Sequence, residues 1–267
     1  MSSEPKEAGY PDSYKTEIPQ PSGRDLLKGL AIMVAAQVGL LLCARWIAGH
    51  LLALRLTRDR EFMLRWALQP ESTDYFSIPL VVLVAALTSA NMLLVSWYFV
   101  CRKYRVDAVK GFALHRPNRR VLIWSVLLGL TMSAVGGQLL YTYGAGESTF
   151  LDKLASTPIG FVLATIGLVL AAPIEEACFR GFIFPVLRTR IGPVRAILFV
   201  SIVFALLHAS GHSQDLIAVP MVFVAGAVFA YQRHVHESLV PPIVTHLSLN
   251  ATAAAYLFAV LVGWVEP

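Results

Sequence analysis

Long apolar runs separated by short basic or polar stretches dominate the chain, and they predict membrane-spanning helices. Residues 157–174, for example, form eighteen consecutive positions without a charge, close to the ~20 residues that a helix needs to cross the hydrocarbon core. The apolar residues are continuous rather than alternating, which favours helices over the strands of a membrane barrel. The pattern predicts seven segments, at residues 26–49, 78–100, 121–143, 157–187, 196–209, 216–231 and 239–265.

Two parts of the pattern leave the number of spans open between seven and eight. Residues 50–74 mix arginines with leucines and aromatic residues, which is typical of an amphipathic helix lying in the membrane interface. Segment 157–187 would be about 45 Å long as one helix, which exceeds a straight span. Pro173 is expected to kink it. The predicted fold class is therefore all-α, a polytopic transmembrane helix bundle of seven spans, or eight if either region adds one.

Composition and charge support this class and suggest an orientation. The chain is 56% hydrophobic and 15% charged, whereas soluble domains average about 25% charged residues. Lysine and arginine concentrate in 102–120 and 188–195, so these loops are expected in the cytoplasm. We expect an integral protein of a bacterial inner membrane with a cytoplasmic N-terminus. Residues 1–25 read as a flexible polar tail, and 26–267 as a single transmembrane domain.

Other partners and cofactors find little support in the composition. The basic residues are not interleaved with aromatic residues on one soluble face, so no nucleic-acid partner is expected. The three cysteines have no paired spacing, which indicates neither a disulfide framework nor a cysteine metal site. Cys178 is expected to be an inert buried thiol. The predicted partners are the lipid bilayer and a peptide or protein substrate at the membrane.

Ionisable residues interrupt the fourth apolar segment, where each charge is costly. Glu175, Glu176 and Arg180 fall within six residues, and an ionised group at the bilayer centre costs roughly 3 kcal/mol or more. Adjacent residues lie about 100° apart around a helix, whereas residues four apart share a face. Glu176 and Arg180 are therefore expected to pair, which leaves Glu175 free for chemistry. A purely structural ion-pair network is the alternative interpretation.

Two later segments also carry polar residues at helical spacing. Phe204 and His208 are four residues apart, as are His246 and Asn250, so three polar faces could meet in one buried pocket. A carboxylate beside a neutral imidazole can activate water, and a second imidazole with an amide can stabilise an oxyanion. Alternatively, Glu175, His208 and His246 could be zinc ligands. From the residues alone, the site either requires no cofactor or holds a divalent metal such as zinc.

The order and spacing of these residues resemble the signature of one known family. Residues 157–260, the protease-like core, resemble the CPBP family of CAAX prenyl endopeptidases and bacteriocin-processing intramembrane proteases. The resemblance rests on three motifs: Glu175-Glu176-x-x-x-Arg180-Gly181, Phe204-x-x-x-His208 and His246-x-x-x-Asn250.

The resemblance implies a role for each matching residue. Glu175 would be the catalytic base, with His208 helping to polarise the water. His246 and Asn250 would be the oxyanion-stabilising or ligand pair. The supporting residues would be Glu176, Arg180 and Phe204.

The resemblance implies an intramembrane endopeptidase that hydrolyses a peptide bond in a membrane-associated protein or peptide, which could be lipidated. The alternative is a non-catalytic membrane scaffold or bacteriocin-immunity protein with the same fold. A transporter with a proton-carrying Glu175 is a third hypothesis, although the chain shows no second, symmetry-related half. His212 lies four residues after His208, but its Gly and Ser neighbours favour a loop.

Overall fold

The computed structural model describes residues 20–56, 77–143, 154–155, 157–209 and 217–264. These residues are helical apart from short connections and contain no strand. Two π-helical segments, Tyr98–Arg102 and Ala177–Ile183, each continue the helix before them. The α-helices in chain order are α1 (Gly23–Leu56), α2 (Ser77–Trp97), α3 (Ala108–Gly111), α4 (Arg119–Tyr143), α5 (Pro158–Glu176), α6 (Phe184–Ile191), α7 (Pro193–Ala209), α8 (Ala218–His236) and α9 (Val240–Leu261).

Helices long and apolar enough to cross a membrane confirm the all-helical membrane class, but not the number of spans. The segments predicted at 196–209 and 216–231 correspond to α7, an apolar helix of 17 residues, and α8, of 19 residues. Neither is among the stretches that reach the length and apolarity of a span, so seven or eight spans remain a prediction. Within the described residues there are five such stretches: Gly23–Ala44, Val82–Arg102, Arg119–Leu140, Pro158–Ile191 and Val240–Leu261.

The start of α1 lies inside the predicted tail. Ser22 and Asp25 cap the helix reciprocally: the Asp25 carboxylate accepts from the Ser22 backbone N–H at 3.0 Å, and Ser22 Oγ accepts from the Asp25 N–H at 3.2 Å. The same carboxylate accepts hydrogen bonds from the Lys103 ammonium and the Tyr104 hydroxyl. The first helix therefore begins at Gly23 rather than after residue 25, because a capping box and a tertiary contact order these residues.

The predicted interfacial helix is described only in its first residues. Residues 50–56 continue α1 as regular α-helix, so the first helix is longer than the predicted segment 26–49, although its apolar stretch ends at Ala44. The remainder of the predicted amphipathic stretch, 57–74, lies outside the described residues, as do residues 1–19 of the predicted tail.

The fourth apolar segment is one continuous helical stretch with a local irregularity. Pro173 lies inside α5, and the kink expected there stays a prediction. The π-helical segment Ala177–Ile183 begins four residues later, with all seven of its residues buried, and α6 continues the stretch to Ile191. A π-helical turn changes which side chains point inward, and such turns are frequent at functional sites.

Packing surrounds this π-helical segment with the other helices. α9 packs against α4, α5 and α8, while α7 packs against α8 and α6. The α4–α9 contact is especially close at Gly129, where an added Cβ would lie 2.3 Å from the Thr245 carbonyl oxygen. The ends of α5 and α7 and the first half of α9 are thereby brought to a common point.

Candidate active site

Glu175, His208 and His246 come together although they lie on three different helices. Glu175 Oε2 is 3.9 Å from Nε2 of His208 and 3.9 Å from Nε2 of His246. Both distances exceed a direct hydrogen bond. One water oxygen making two hydrogen bonds of about 2.8 Å can bridge such a gap at an angle near 90°. The two separations therefore suit a bridging water oxygen, although Glu175 Oε2 is itself buried, without a hydrogen-bond partner among the described residues, so the side chains would have to move slightly to admit one.

Hydrogen bonds to the opposite ring nitrogens decide how both histidines face Glu175. His208 Nδ1 lies 2.8 Å from the Phe204 carbonyl oxygen, and His246 Nδ1 lies 3.1 Å from Glu176 Oε1. A carbonyl or carboxylate oxygen only accepts, so each Nδ1 carries its proton and donates it. In the neutral rings, Nε2 is then left as an acceptor directed at Glu175.

The predicted pair between Glu176 and Arg180 is present and fully buried. Glu176 Oε1 lies 3.1 Å from an Arg180 guanidinium nitrogen, and neither side chain is exposed. The other terminal nitrogen of Arg180 donates to the Gly226 carbonyl oxygen at 2.8 Å. Glu176 Oε1 thus accepts from both Arg180 and His246, so one carboxylate oxygen links the ion pair to the histidine.

Aromatic rings enclose the Arg180 guanidinium on the sides that lack hydrogen-bond partners. Its central carbon lies 4.6 Å from the ring centre of Phe204, 5.3 Å from that of Phe229 and 5.6 Å from that of Phe179. These distances are within the range of cation–π attraction. The predicted supporting role of Phe204 corresponds in the structure to two contacts, one with Arg180 and one with His208.

Phe229 and Gly226, both on α8, were not among the residues selected from the sequence. The Phe229 ring stacks on His246 with centroids 4.8 Å apart, which limits rotation of the imidazole. An added Cβ at Gly226 would lie 3.2 Å from the Ser201 Cα and 3.3 Å from an Arg180 nitrogen. Gly226 could have been selected, because a run of small residues indicates close helix packing. Nothing in the sequence distinguishes Phe229 from other apolar residues.

Asn250 binds the backbone of α5 rather than facing Glu175 with a free amide. Its Nδ2 donates to the Leu168 carbonyl oxygen at 2.9 Å. This bond uses one of the two amide N–H groups and joins α9 to α5 two turns before Glu175. The predicted oxyanion role of Asn250 stays a prediction, and only the second N–H is available for it.

Exposure within the site decreases from His208 inward. The His208 side chain is 34% exposed, Glu175 21% and His246 8%, while Glu176 is fully buried. A reactant would therefore reach Glu175 from the His208 side. Residues 210–216, which follow that side and include His212, lie outside the described residues.

The residues named for a zinc site do not have the spacing of a closed metal centre. Among the described residues, no group of three or more His, Cys, Asp or Glu side chains is arranged to hold a metal. Ligand atoms of a tetrahedral zinc with bonds of about 2.0–2.1 Å lie about 3.3 Å apart, whereas Glu175 Oε2 is 3.9 Å from each histidine nitrogen. The donor set is chemically suitable, but Glu175, His208 and His246 would have to move closer to hold zinc.

Comparison with protein families supports the resemblance seen in the motifs. Residues 157–252 match the family described as type II CAAX prenyl endopeptidase Rce1-like, and this segment contains every site residue discussed above. The match confirms the resemblance to the CPBP/CAAX protease family, which is a family of membrane proteases. Together with the apolar helices, it identifies an integral membrane protein. No curated protein and no solved structure matches the chain.

Proposed function

We propose that this chain is an intramembrane endopeptidase of the CAAX-protease type, which cleaves a membrane-associated protein or peptide through glutamate-activated water. The observation that carries the proposal is the position of Glu175 Oε2, 3.9 Å from the Nε2 atoms of both His208 and His246. A buried, ionisable group in a mostly apolar helix is costly. Its position between the partly exposed His208 and the buried His246 favours chemistry over a structural role.

In the proposed first step, a water molecule between Glu175 and His208 attacks the peptide carbonyl carbon. Glu175 takes one water proton as the water oxygen forms its bond to carbon, and His208 Nε2 accepts a hydrogen bond from the other. The carbonyl π electrons move onto oxygen, which gives a tetrahedral oxyanion. His208 keeps its orientation because Nδ1 is held by the Phe204 carbonyl oxygen.

His246 stabilises this oxyanion in the proposal, and Glu176 makes that possible. A neutral His246 has no proton on Nε2, so it must be the imidazolium to donate to the oxyanion. Glu176 Oε1, which accepts the Nδ1–H at 3.1 Å, stabilises the positive ring. Asn250 contributes its remaining N–H as a second donor. Collapse of the intermediate then breaks the C–N bond as Glu175 returns its proton to the leaving amine.

The test compares Glu175→Gln and His208→Ala with the unmodified chain in detergent or liposomes. The probes are two fluorogenic peptides of one sequence, with and without a C-terminal prenylated cysteine motif. Loss of the base should reduce cleavage by about 10²–10⁴-fold. Asp107→Asn, a surface change at the start of α3 that preserves the cap to Lys110 N–H, is the matched control and should retain activity.

Full activity in Glu175→Gln would refute this mechanism. The same assays with a chelator, beside metal analysis of the purified protein, decide whether a metal takes part. The scaffold hypothesis predicts a different outcome, in which neither peptide is cut and Glu175→Gln retains the cellular phenotype of the unmodified chain.

A further inference from the structure

A second cluster of charged residues lies where α6 ends beside the end of α8, well away from Glu175. Arg188, on α6, donates toward His234 Nδ1 at 3.4 Å and lies 3.7 Å from Glu237 Oε1. Arg233 lies next to His234 in the last turn of α8. We call Arg188, Arg233, His234 and Glu237 the arginine cluster. The proposed protease mechanism uses none of these residues.

The cluster contains more positive than negative charge. The cluster has two guanidinium groups and one carboxylate, Glu237, which lies 3.7 Å from Arg188 and whose side chain is 72% exposed and therefore well solvated. Burial and then the nearby charge of Arg188 lower the pKa of Arg233 to about 10, with Glu237 acting in the opposite direction. Burial and the charge of Arg233 also lower the pKa of His115, against the opposite effects of a hydrogen bond with the His236 backbone and of Glu237. None of these neighbours supplies the missing negative charge.

Arg233 also has a buried donor without a partner. Its Nε atom is inaccessible to solvent and makes no hydrogen bond within the described part of the chain. Buried guanidinium N–H groups are costly to leave unpaired. The negative end of the α8 dipole favours cations in its last turn, which accounts for the sign of the charge. It does not account for the unpaired Nε or for the second arginine on α6.

The cluster lies where two apolar stretches end or begin, which is the depth expected for lipid headgroups. Arg188 is three residues before the end of the span Pro158–Ile191, and the next span begins at Val240, three residues after Glu237. Gln232, adjacent to Arg233, contacts Ser125 of α4. Tyr231, which precedes Gln232, and Trp124, which precedes Ser125, are exposed aromatic residues. Tyrosine and tryptophan at one level of a bundle are typical of the membrane interface.

We propose that Arg188 and Arg233 bind the phosphate group of an anionic phospholipid at this interface. A guanidinium presents several planar N–H donors that match phosphate oxygens in pairs. Because Arg233 Nε is inaccessible, the terminal nitrogens of the two guanidinium groups would make the contacts with the phosphate. Glu237 would exclude a second anion and limit the site to one headgroup. The proposal does not depend on the protease function, and either could fail without the other.

The experiment measures binding of defined lipids to the purified full chain in a neutral detergent. Three ligands are titrated separately into the protein. They are phosphatidylglycerol, whose only charge is its phosphate, zwitterionic phosphatidylcholine, and inorganic phosphate alone. Binding is read by native mass spectrometry and by the thermal unfolding shift. The variants are Arg188→Gln and Arg233→Gln. Arg195→Gln, an exposed arginine on the same basic side, is the matched control.

Phosphatidylglycerol should bind the unmodified chain more tightly than phosphatidylcholine. Each cluster variant should weaken phosphatidylglycerol binding about fivefold, which corresponds to about 1 kcal/mol per arginine near an anionic surface. Arg195→Gln should leave binding unchanged. If Arg233→Gln does not fold, Arg233→Lys keeps the charge and loses the paired donors, and Arg188→Gln tests the site independently.

Two outcomes would overturn the proposal. Equal phosphatidylglycerol binding by the unmodified chain, Arg188→Gln and Arg195→Gln would show that the arginine cluster is not a lipid-binding site. Inorganic phosphate could instead raise the unfolding temperature in a way that depends on the cluster, without any preference for phosphatidylglycerol over phosphatidylcholine. That result would show that the cluster binds a soluble phosphate compound rather than a lipid.

Discussion

Exchanging each of the adjacent glutamates for glutamine should separate a structural carboxylate from a catalytic one. Glu176→Gln leaves the Arg180 charge buried without its carboxylate, while the Gly226 carbonyl and the aromatic rings are unchanged. Removing one partner of a fully buried ion pair costs about 3–5 kcal/mol, and both side chains are 0% exposed. Glu175 Oε2 has no hydrogen-bond partner among the described residues, so Glu175→Gln should change the free energy of unfolding by less than about 1 kcal/mol.

Reversible unfolding by SDS in mixed micelles, followed by circular dichroism, measures both variants. A third variant identifies the cause of the destabilisation. Glu176→Gln combined with Arg180→Met removes the unpaired charge, so it should recover about 2 kcal/mol or more relative to Glu176→Gln alone. The fluorogenic peptides are assayed with the same samples. Glu175→Gln should unfold like the unmodified chain but cleave neither peptide.

Equal stability of the Glu175→Gln and Glu176→Gln proteins would refute this division of roles. Failure of Arg180→Met to restore stability would refute the explanation by a buried, unpaired guanidinium. In that case the His246–Glu176 hydrogen bond, rather than the ion pair, would be the main stabilising contact.

Two further substitutions test how the helices hold the site. Gly226→Ala should lower the free energy of unfolding by about 1–3 kcal/mol, because the added methyl would lie within 3.4 Å of the α7 backbone and the Arg180 guanidinium. Gly167→Ala is the control, since an added methyl there has nothing within 4 Å. Equal effects of the two substitutions in SDS unfolding would contradict the crowding argument. Asn250→Ala should cost about 0.6 kcal/mol, the average for an interhelical hydrogen bond in a membrane, through loss of the bond to the Leu168 carbonyl oxygen; a cost near zero would show that this bond does not join α5 to α9.

Local periodicity was sufficient for the part of the site that lies on single helices. Glu176 and Arg180 pair as their spacing of four predicts, because about one helical turn separates them, even though Arg180 lies in the π-helical segment. The same spacing placed Phe204 beneath His208, and their rings are 4.4 Å apart. The CPBP/CAAX resemblance, drawn from these spacings, is confirmed by the family match over residues 157–252.

Hydropathy was less informative about the extent of the spans. The first segment is predicted at 26–49, with Lys28 and Arg45 inside it, yet α1 runs from Gly23 to Leu56. Long basic side chains reach the headgroups from inside a helix, so a charge does not mark where a helix ends. α7, with 17 residues, is short for a span, whereas α8, with 19, is long enough but is not among the stretches apolar enough to be one. Hydropathy alone cannot tell a helix packed within a bundle from one that crosses the bilayer.

The sequence by itself determined the helical membrane class and which faces of the individual helices carry polar groups. These properties follow from side-chain transfer energies and from the 3.6-residue period, both of which act over a few neighbouring residues. Only the tertiary structure decided which atoms meet. It placed both histidine Nε2 atoms at 3.9 Å from Glu175, joined Asn250 to α5 and enclosed Arg180 with Phe229 and Gly226 from α8. Each of these contacts joins residues more than thirty positions apart, and such contacts depend on how whole helices pack.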